Sequence, residues 1–202
     1  MEFSIYSELQ TWPGKTQQQI YAEALEQAVN PDRLGYSTYS IIEHFFFPKF
    51  GASPNPFAFF AKASERARKI KFRTLLHVLP YHNPTVLASQ IAQFDMLVDG
   101  RYEFGLGRGH AWIPLKAGVS VEESRARYEE ALKIVIEALD KERFTHDGNI
   151  IRSRIRTSCR DRRRAGSSAS FSAARAIPPT SSPASAAMRW CVADRRSAKR
   201  GV

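Results

Sequence analysis

From residue 1 to about residue 150, short apolar runs alternate with segments of helical period, and this alternation limits the fold more than any other feature. The apolar runs are rich in Phe, Tyr, Ile and Leu and are followed by glycine or proline, which is typical of strands. In the segments between them, apolar residues recur three and four positions apart. In the segment 85–98, for example, this period predicts one buried stripe made of Val86, Gln90, Ile91, Phe94 and Leu97. The sequence predicts strands over 3–6, 36–47, 72–79 and 102–106, and helices over 17–29, 57–69, 85–98 and 121–139.

Four successive βα units predict an α/β fold whose parallel sheet is covered by helices, either doubly wound or a TIM-type (β/α)8 barrel. Chemistry in both folds gathers at the carboxyl ends of the strands. Polar residues follow three of the predicted strands: Glu43 and His44, then 77–83, then Arg108 and His110. This placement favours the barrel. Because a full barrel takes about 250 residues, we expect residues 1–150 to form its N-terminal half, (β/α)4.

The run RYEFGLGRGH at 101–110 indicates a buried strand that breaks into a glycine-rich turn. Gly107 and its neighbouring glycines let the backbone approach a ligand closely. Arg108 adds a planar fork of donors suited to phosphate. An anion site is one interpretation of this turn, and a tight exit from a strand with a solvated arginine is the other.

The composition changes near residue 150. Residues 151–202 hold 13 of the 30 Lys and Arg but only two of the 20 Asp and Glu, so their net charge is +11 and residues 1–150 carry a net −1. This segment is rich in Ser, Ala and Pro and lacks a periodic apolar pattern, which predicts a disordered basic tail. Both cysteines, Cys159 and Cys191, lie in it, so we expect no disulfide framework.

The first ten residues, MEFSIYSELQ, contain two glutamates and lack the apolar run of a signal peptide. No later segment approaches about 18 uninterrupted apolar residues. These observations predict a soluble cytoplasmic protein with no membrane partner.

The segments FSIYSELQ, IIEHFFFPKFGASPNP and LLHVLPYHNPTVLASQIAQFDMLVDGRYEFGLGRGH together resemble the bacterial luciferase-like, flavin-dependent monooxygenase family. The resemblance covers residues 1 to about 150. It implies a barrel that binds reduced FMN at its carboxyl-end rim and uses dioxygen to oxygenate a small organic substrate. A related branch uses a deazaflavin for hydride transfer, which is the alternative cofactor. Because nothing in the sequence looks like a nicotinamide-binding fingerprint, we expect a flavin reductase to supply the reduced cofactor.

The resemblance also implies roles for particular residues. His44 matches the family's active-site histidine, an acid or base near the flavin, although a hydrogen-bonded structural histidine is the alternative. Arg108 matches the arginine that reaches the flavin phosphate, and Gly107 falls where the cofactor lies close to the backbone. Leu75 and Leu76 match a third-strand position at which family members often have a non-prolyl cis peptide under the flavin ring.

The remaining polar and aromatic residues of these loops have weaker assignments. Glu43 is expected to orient the loop or a neighbouring residue rather than to react. The aromatic run 45–47 offers an apolar substrate cleft, with core packing expected for at least two of its three members. His77, His82 and His110 receive no role. Because no pair of them has metal-ligand spacing on a shared helical face, we predict no metal.

The tail departs from the family pattern after FTHDGNI. Its bias of twelve arginines to one lysine suggests an out-of-frame product of a G+C-rich coding sequence, with a frameshift near residue 151. The rival interpretation is a basic, disordered arm that binds nucleic acid or an acidic partner. The scarcity of stacking aromatic residues among the charges argues against this arm, and nucleic acid is not expected as a partner. A half barrel exposes strand edges and should self-associate. Two functional classes therefore remain, a flavin-dependent oxygenase of weak or no activity and a non-catalytic barrel fragment.

Overall fold

The computed structural model describes residues 2–110 and 118–155, with side chains described as far as residue 153. Four strands of one sheet alternate with four helices, and a two-stranded hairpin follows. The elements are β1 (Ser4–Ser7), α1 (Gln17–Leu34), β2 (Thr38–Ile41), α2 (Pro56–Ser64), β3 (Lys71–Val78), a 3-10 turn (Leu79–Tyr81), α3 (Pro84–Leu97), β4 (Tyr102–Gly107), α4 (Val121–Asp140), β5 (Phe144–Asp147) and β6 (Arg152–Ile155).

The first four strands form a parallel sheet in the order β1-β2-β3-β4. Each strand therefore pairs with the next one along the chain. Each connection between paired strands contains one helix, in turn α1, α2 and α3. Because the strands are parallel, the segments that follow them meet at one edge of the sheet. The predicted (β/α)4 arrangement is confirmed, and the polar segments lie where that prediction places them.

Helix α1 is longer than predicted, because the chain continues through Pro31 to Leu34. Thr16 and Gln19 form a reciprocal capping box at its start. Gly35, at φ 80°, ends the helix in the left-handed conformation, and its N–H donates to the carbonyl of Pro31. The prediction stopped at 29 because proline usually breaks a helix. Here the proline lies in the last turn, and the helix ends three residues after it, at Leu34.

Strand β2 is much shorter than the predicted 36–47. Only Thr38–Ile41 pairs with its neighbours, and the chain then leaves the sheet. A positive φ of 63° at Phe46 turns the backbone away from an extended path. The β-favouring composition of this run reflects a buried loop and an aromatic surface rather than a long strand.

The apolar core lies between the sheet and its helices. Tyr39, Phe60, Phe72 and Tyr102 are almost fully buried there. On α3, Ile91 and Phe94 pack inward as predicted, together with Leu87 and Ala88. The ends of the predicted stripe are wrong: Val86 is 52% exposed and Leu97 is 70% exposed. The face of the helix that is in contact with the core is therefore rotated from the one that the apolar residues suggested.

The hairpin β5–β6 is antiparallel and joins Phe144 to the segment around Ile155. Glu130 of α4 holds its turn, since the carboxylate accepts hydrogen bonds from the backbone N–H groups of Asn149 and Ile151 at 3.0 and 2.8 Å. Strand β6 lies just past the predicted domain boundary at residue 150. The rest of the predicted tail, with both cysteines, lies outside the described residues. Among the described residues, no helix is both long and apolar enough to cross a membrane.

Candidate active site

The carboxyl ends of β3 and β4 pack together through a leucine pair and a glycine. The peptide bond between Leu75 and Leu76 is cis, as predicted for this position. The pairing of β3 with β4 shifts register at this point, between Thr74 and His77. A Cβ on Gly107 would overlap the end of the Leu76 side chain, so glycine at this position lets the leucine lie directly against the β4 backbone. The half-buried leucines therefore form an apolar wall beside the β4 backbone.

The glycine-rich turn continues from this wall into solvent. Arg108 directly follows Gly107, and its side chain is exposed. Gly109 has a φ of 77°, a left-handed conformation that reverses the backbone after the arginine. The turn thus carries an exposed arginine at the carboxyl end of β4, one residue after the glycine that packs on Leu76.

His44 lies at the carboxyl end of β2 and is 1% exposed. Its backbone N–H donates to the carbonyl of Ser53 at 3.1 Å, which ties the two ends of the β2–α2 loop together. Its ring lies 4.7 Å from the ring of Phe50, centroid to centroid. Phe50 in turn meets His110 edge-on, at 6.3 Å. Aromatic contacts therefore connect the predicted acid–base histidine to the segment that carries Arg108.

Glu43, next to His44, is the centre of a buried polar cluster. Its Oε1 lies 3.0 Å from His77 Nδ1, and its Oε2 lies 2.8 Å from His82 Nε2. The same Oε2 accepts a hydrogen bond from the backbone N–H of Val78 at 2.8 Å. Burial raises the pKa of Glu43, but the charge and hydrogen bonds of the two histidines outweigh burial and lower that pKa to about 2. Glu43 is therefore a buried carboxylate anion.

The cluster extends inward from His77. His77 Nε2 lies 2.7 Å from Tyr102 Oη, which lies 2.7 Å from Thr74 Oγ1. The imidazole also stacks on Phe57, with ring centroids 5.0 Å apart. Burial raises the pKa of Tyr102 well above its ordinary value, so its hydroxyl stays protonated. The end of β3 is therefore joined to β2 through Glu43 and to β4 through Tyr102.

The structure brings Leu76 against Gly107 and Leu75 near Gly105, with Arg108 next in the chain after Gly107, and the roles of these residues toward a cofactor stay predictions. Glu43 does hold its neighbours in place, as expected from the sequence. Sequence reasoning missed the partners of Glu43. The sequence does contain a signal for these partners. His77 precedes the motif L-P-x-H-N-P and His82 lies in it, so the turn at 79–81 brings the two histidines close to each other.

One expectation about the aromatic run is wrong. Phe46 and Phe47 are 62% and 42% exposed, so at least two of the three phenylalanines do not pack in the core. Phe45 is half-buried and meets Tyr81 edge-on, with centroids 5.6 Å apart. The loop after β2 therefore displays two aromatic rings to solvent near the buried Glu43 and His44.

Comparison with solved structures gives the class of fold. The oxygenating constituent of 3,6-diketocamphane monooxygenase from Pseudomonas putida, a type II Baeyer-Villiger monooxygenase in complex with FMN, superposes with a TM-score of 0.71 and 26% identity. The match covers 77% of this chain and 44% of that one. An F420-dependent secondary alcohol dehydrogenase shares the fold at 20% identity, with a TM-score of 0.61. The described (β/α)4 unit is thus half of a TIM-type barrel.

The family follows from sequence comparison. The family model of luciferase-like monooxygenases matches residues 1–194, and the chain belongs to this family of flavin-dependent enzymes. A relative, 4-hydroxyprotoasukamycin monooxygenase of Streptomyces nodosus subsp. asukaensis, is 35% identical over 114 residues, which are 55% of this chain and 30% of the relative. The chain spans less than half the length of the curated relatives it matches. The family match also extends past residue 150, into residues that the structure does not describe.

Proposed function

We propose that this chain binds FMN at the carboxyl ends of β3 and β4 and works as a luciferase-like monooxygenase. The observation that carries the proposal is that exposed Arg108 directly follows Gly107, the glycine that packs against Leu76 of the cis Leu75–Leu76 pair. An apolar wall suits the flat isoalloxazine ring, and a guanidinium suits the phosphate.

The described residues fit the two ends of this cofactor. Gly107 has no side chain to separate the β4 backbone from Leu76, so the wall is continuous. Arg108 lies one residue further on, where it would pair with the ribityl phosphate. Gly109 then reverses the chain in a left-handed conformation. These residues would hold both the ring and the phosphate.

Reduced flavin, when bound, supplies the electrons with which dioxygen is activated and an organic substrate oxygenated. His44 is placed to hold or give up a proton at the carboxyl end of β2, since imidazoles titrate near neutral pH. Glu43 keeps this end of the sheet rigid by binding the Val78 N–H. Phe46 and Phe47 offer an apolar surface to a small organic substrate. A separate flavin reductase would deliver the reduced cofactor.

The test compares FMN with riboflavin, which lacks the phosphate. Both are titrated into the full chain and into the Arg108→Gln variant, and binding is followed by flavin fluorescence. We expect the substitution to weaken FMN binding about tenfold, the equivalent of about 1.4 kcal/mol, and to leave riboflavin binding unchanged. Arg33→Gln, which removes an exposed arginine at the far end of α1, is the matched control and should bind both flavins like the unchanged protein.

If Arg108→Gln weakens the binding of FMN and of riboflavin equally, Arg108 does not bind the phosphate. A deazaflavin titration, run in parallel, decides the alternative cofactor, because tighter binding of the deazaflavin than of FMN would replace the oxygenase proposal with hydride transfer. If the unchanged chain binds neither cofactor saturably, the proposed function fails and the non-catalytic fragment remains.

A further inference from the structure

The cluster around Glu43 has the composition of a metal site. One donor atom from each of Glu43, His77 and His82 lies within 4.8 Å of the others. The three residues come from separate segments: the loop after β2, strand β3, and the residue after the 3-10 turn. Two imidazoles and one carboxylate are a donor set that binds zinc and similar divalent transition metals.

The state of each donor suits a cation. Glu43 is ionised, and its side chain is only 2% exposed, so a negative charge is buried at the centre of the cluster. His77 is fully buried, whereas His82 is 21% exposed and opens the cluster to solvent. An ion entering from the side of His82 would meet the carboxylate first and the buried imidazole behind it.

The buried imidazole is oriented as a metal ligand requires. A histidine that binds a metal through one nitrogen usually donates a hydrogen bond from the other, which fixes its tautomer and ring plane. His77 directs Nδ1 at Glu43 and Nε2 at Tyr102, whose hydroxyl also contacts Thr74. This chain of hydroxyl groups supplies the outer partner that such a ligand needs.

We propose that Glu43, His77 and His82 form a binding site for one divalent transition-metal ion of the zinc class, with solvent completing the coordination beside His82. The proposal reverses the sequence-based expectation of no metal. That expectation considered histidine pairs on one helix, whereas the fold collects these donors from three segments. The proposed metal ligands are different residues from those proposed to hold the flavin.

The proton balance of the site is simple. In the metal-free protein, His77 Nδ1–H donates to the Glu43 carboxylate, and His77 Nε2 shares a hydrogen bond with Tyr102 Oη. With metal on Nδ1, the imidazole proton moves to Nε2, which donates to Tyr102, and the Tyr102 hydroxyl turns to donate to Thr74. His82 likewise binds through Nε2 and carries its proton on Nδ1. Both imidazoles are neutral once the metal is bound, any further ring proton goes to solvent, and nothing is oxidised or reduced.

The geometry needs only a small adjustment. Tetrahedral zinc with bonds of about 2.0–2.1 Å separates its ligand atoms by roughly 3.3 Å. The carboxylate oxygens of Glu43 now lie 3.0 and 2.8 Å from the histidine nitrogens, at hydrogen-bond distance. Replacing the shared protons with an ion therefore requires the carboxylate and imidazole donors to spread by a few tenths of an ångström. The two imidazole nitrogens, which lie within 4.8 Å of each other, must come to a similar separation, and the partly exposed His82 permits this movement.

The test uses Co²⁺ as a spectroscopic probe for the zinc site. Thiolates also bind these metals, so the full chain carries Cys159→Ser and Cys191→Ser and is first dialysed against a chelator, without flavin. We expect saturable binding of one Co²⁺ per chain, visible d–d absorption bands typical of tetrahedral coordination, and displacement by Zn²⁺. Zn²⁺ should also raise the melting temperature.

His82→Asn should abolish the Co²⁺ bands and the Zn²⁺-dependent rise in melting temperature. The matched control is His146→Asn, since His146 also lies near a glutamate, Glu130, at 3.7 Å, but outside this cluster. It should behave like the parent. The proposal is overturned if the parent shows no saturable Co²⁺ binding, or if His82→Asn binds Co²⁺ as the parent does. Flavin binding is measured separately, so either proposal can fail alone.

Discussion

Glu43 is the residue on which the carboxyl end of the sheet depends most. Its two carboxylate oxygens form hydrogen bonds with His77, His82 and the backbone N–H of Val78, all within 3.0 Å. Replacing Glu43 with Gln puts an amide NH₂ against one of these donors and removes the buried negative charge. In chelator-treated protein at neutral pH, we expect a loss of about 3 kcal/mol in the free energy of unfolding, measured by urea titration.

The matched control for this substitution is Glu23→Gln. Glu23 pairs with Lys15 at 2.6 Å, but both side chains are about half exposed, at 51% and 43%. An exposed pair contributes little, so this change should cost less than about 1 kcal/mol. Equal losses in the two variants would show that the buried cluster adds no particular stability.

The acid dependence of stability is a second consequence of the Glu43 cluster. Its folded pKa is about 2, below the ordinary value of 4.5, so its contribution is complete above about pH 4.5 and is lost as the pH falls toward 2. The full contribution is about 3 kcal/mol. We expect the difference in unfolding free energy between the unchanged protein and Glu43→Gln to shrink across this range, measured by urea titration at several pH values. A difference that stays constant from pH 7 to pH 3 would contradict the assignment.

At the scale of single residues, sequence reasoning placed the candidate residues at the carboxyl ends of the strands, but it did not predict their hydrogen-bond partners. Glu43 and His44 adjoin in the sequence, yet the first anchors the end of β3 while the second packs against Phe50. The partners of Glu43 are 34 and 39 residues away. Such contacts depend on which strands become neighbours and on the register between them, and neither follows from local spacing.

The close contact between β3 and β4 gives a test at the scale of elements. An alanine Cβ at Gly107 would lie 2.4 Å from Leu76 Cδ2 and 3.2 Å from its Cγ, so the whole leucine side chain must move. We expect Gly107→Ala to cost about 1–3 kcal/mol in unfolding free energy. FMN binding should weaken with it, because the displaced leucine belongs to the proposed wall. Urea titration and flavin fluorescence measure the two effects.

Gly105→Ala is the control for that substitution, since Gly105 lies on the same strand and also faces the leucine pair. Its Cβ would meet Thr74 O at 3.4 Å and Leu75 Cδ2 at 3.5 Å, which are ordinary contacts. The cost should be below about 1 kcal/mol. If both variants lose equal stability, the glycines matter through strand flexibility and not through the contact with Leu76.

Among the elements, those with a regular apolar period and clear end signals were predicted well. Helix α4 was placed over 121–139 and runs over Val121–Asp140, with Ser120 capping its first turn. Strand β2 was overestimated, because composition alone does not show where a β-favouring run leaves the sheet. The buried stripe predicted on α3 is wrong at Val86, which is exposed, for a related reason. Which face of a helix becomes buried depends on how it packs on the sheet.

At the scale of the whole molecule, charge divides the chain in two. Residues 1–150 carry a net −1, and the +11 of residues 151–202 accounts for the basic pI near 9.9. The proposed flavin site therefore lies in a nearly neutral part of the chain. Attraction of the FMN phosphate there depends on local groups such as Arg108 rather than on the field of the whole protein.

The open edge of the sheet at β1 predicts that the chain associates with itself. Among the described residues, β1 pairs only with β2, so its other edge lacks a strand, and Tyr6 on this strand is 45% exposed. Open edges pair with other chains. We expect the sedimentation coefficient to rise with concentration, and Tyr6→Lys to reduce that rise by placing a charge on the edge. Leu97→Lys, which alters a 70% exposed leucine on α3, is the control and should associate like the unchanged protein. Sedimentation as a monomer at every concentration, or an equal effect of both lysines, would mean that the β1 edge is not the contact.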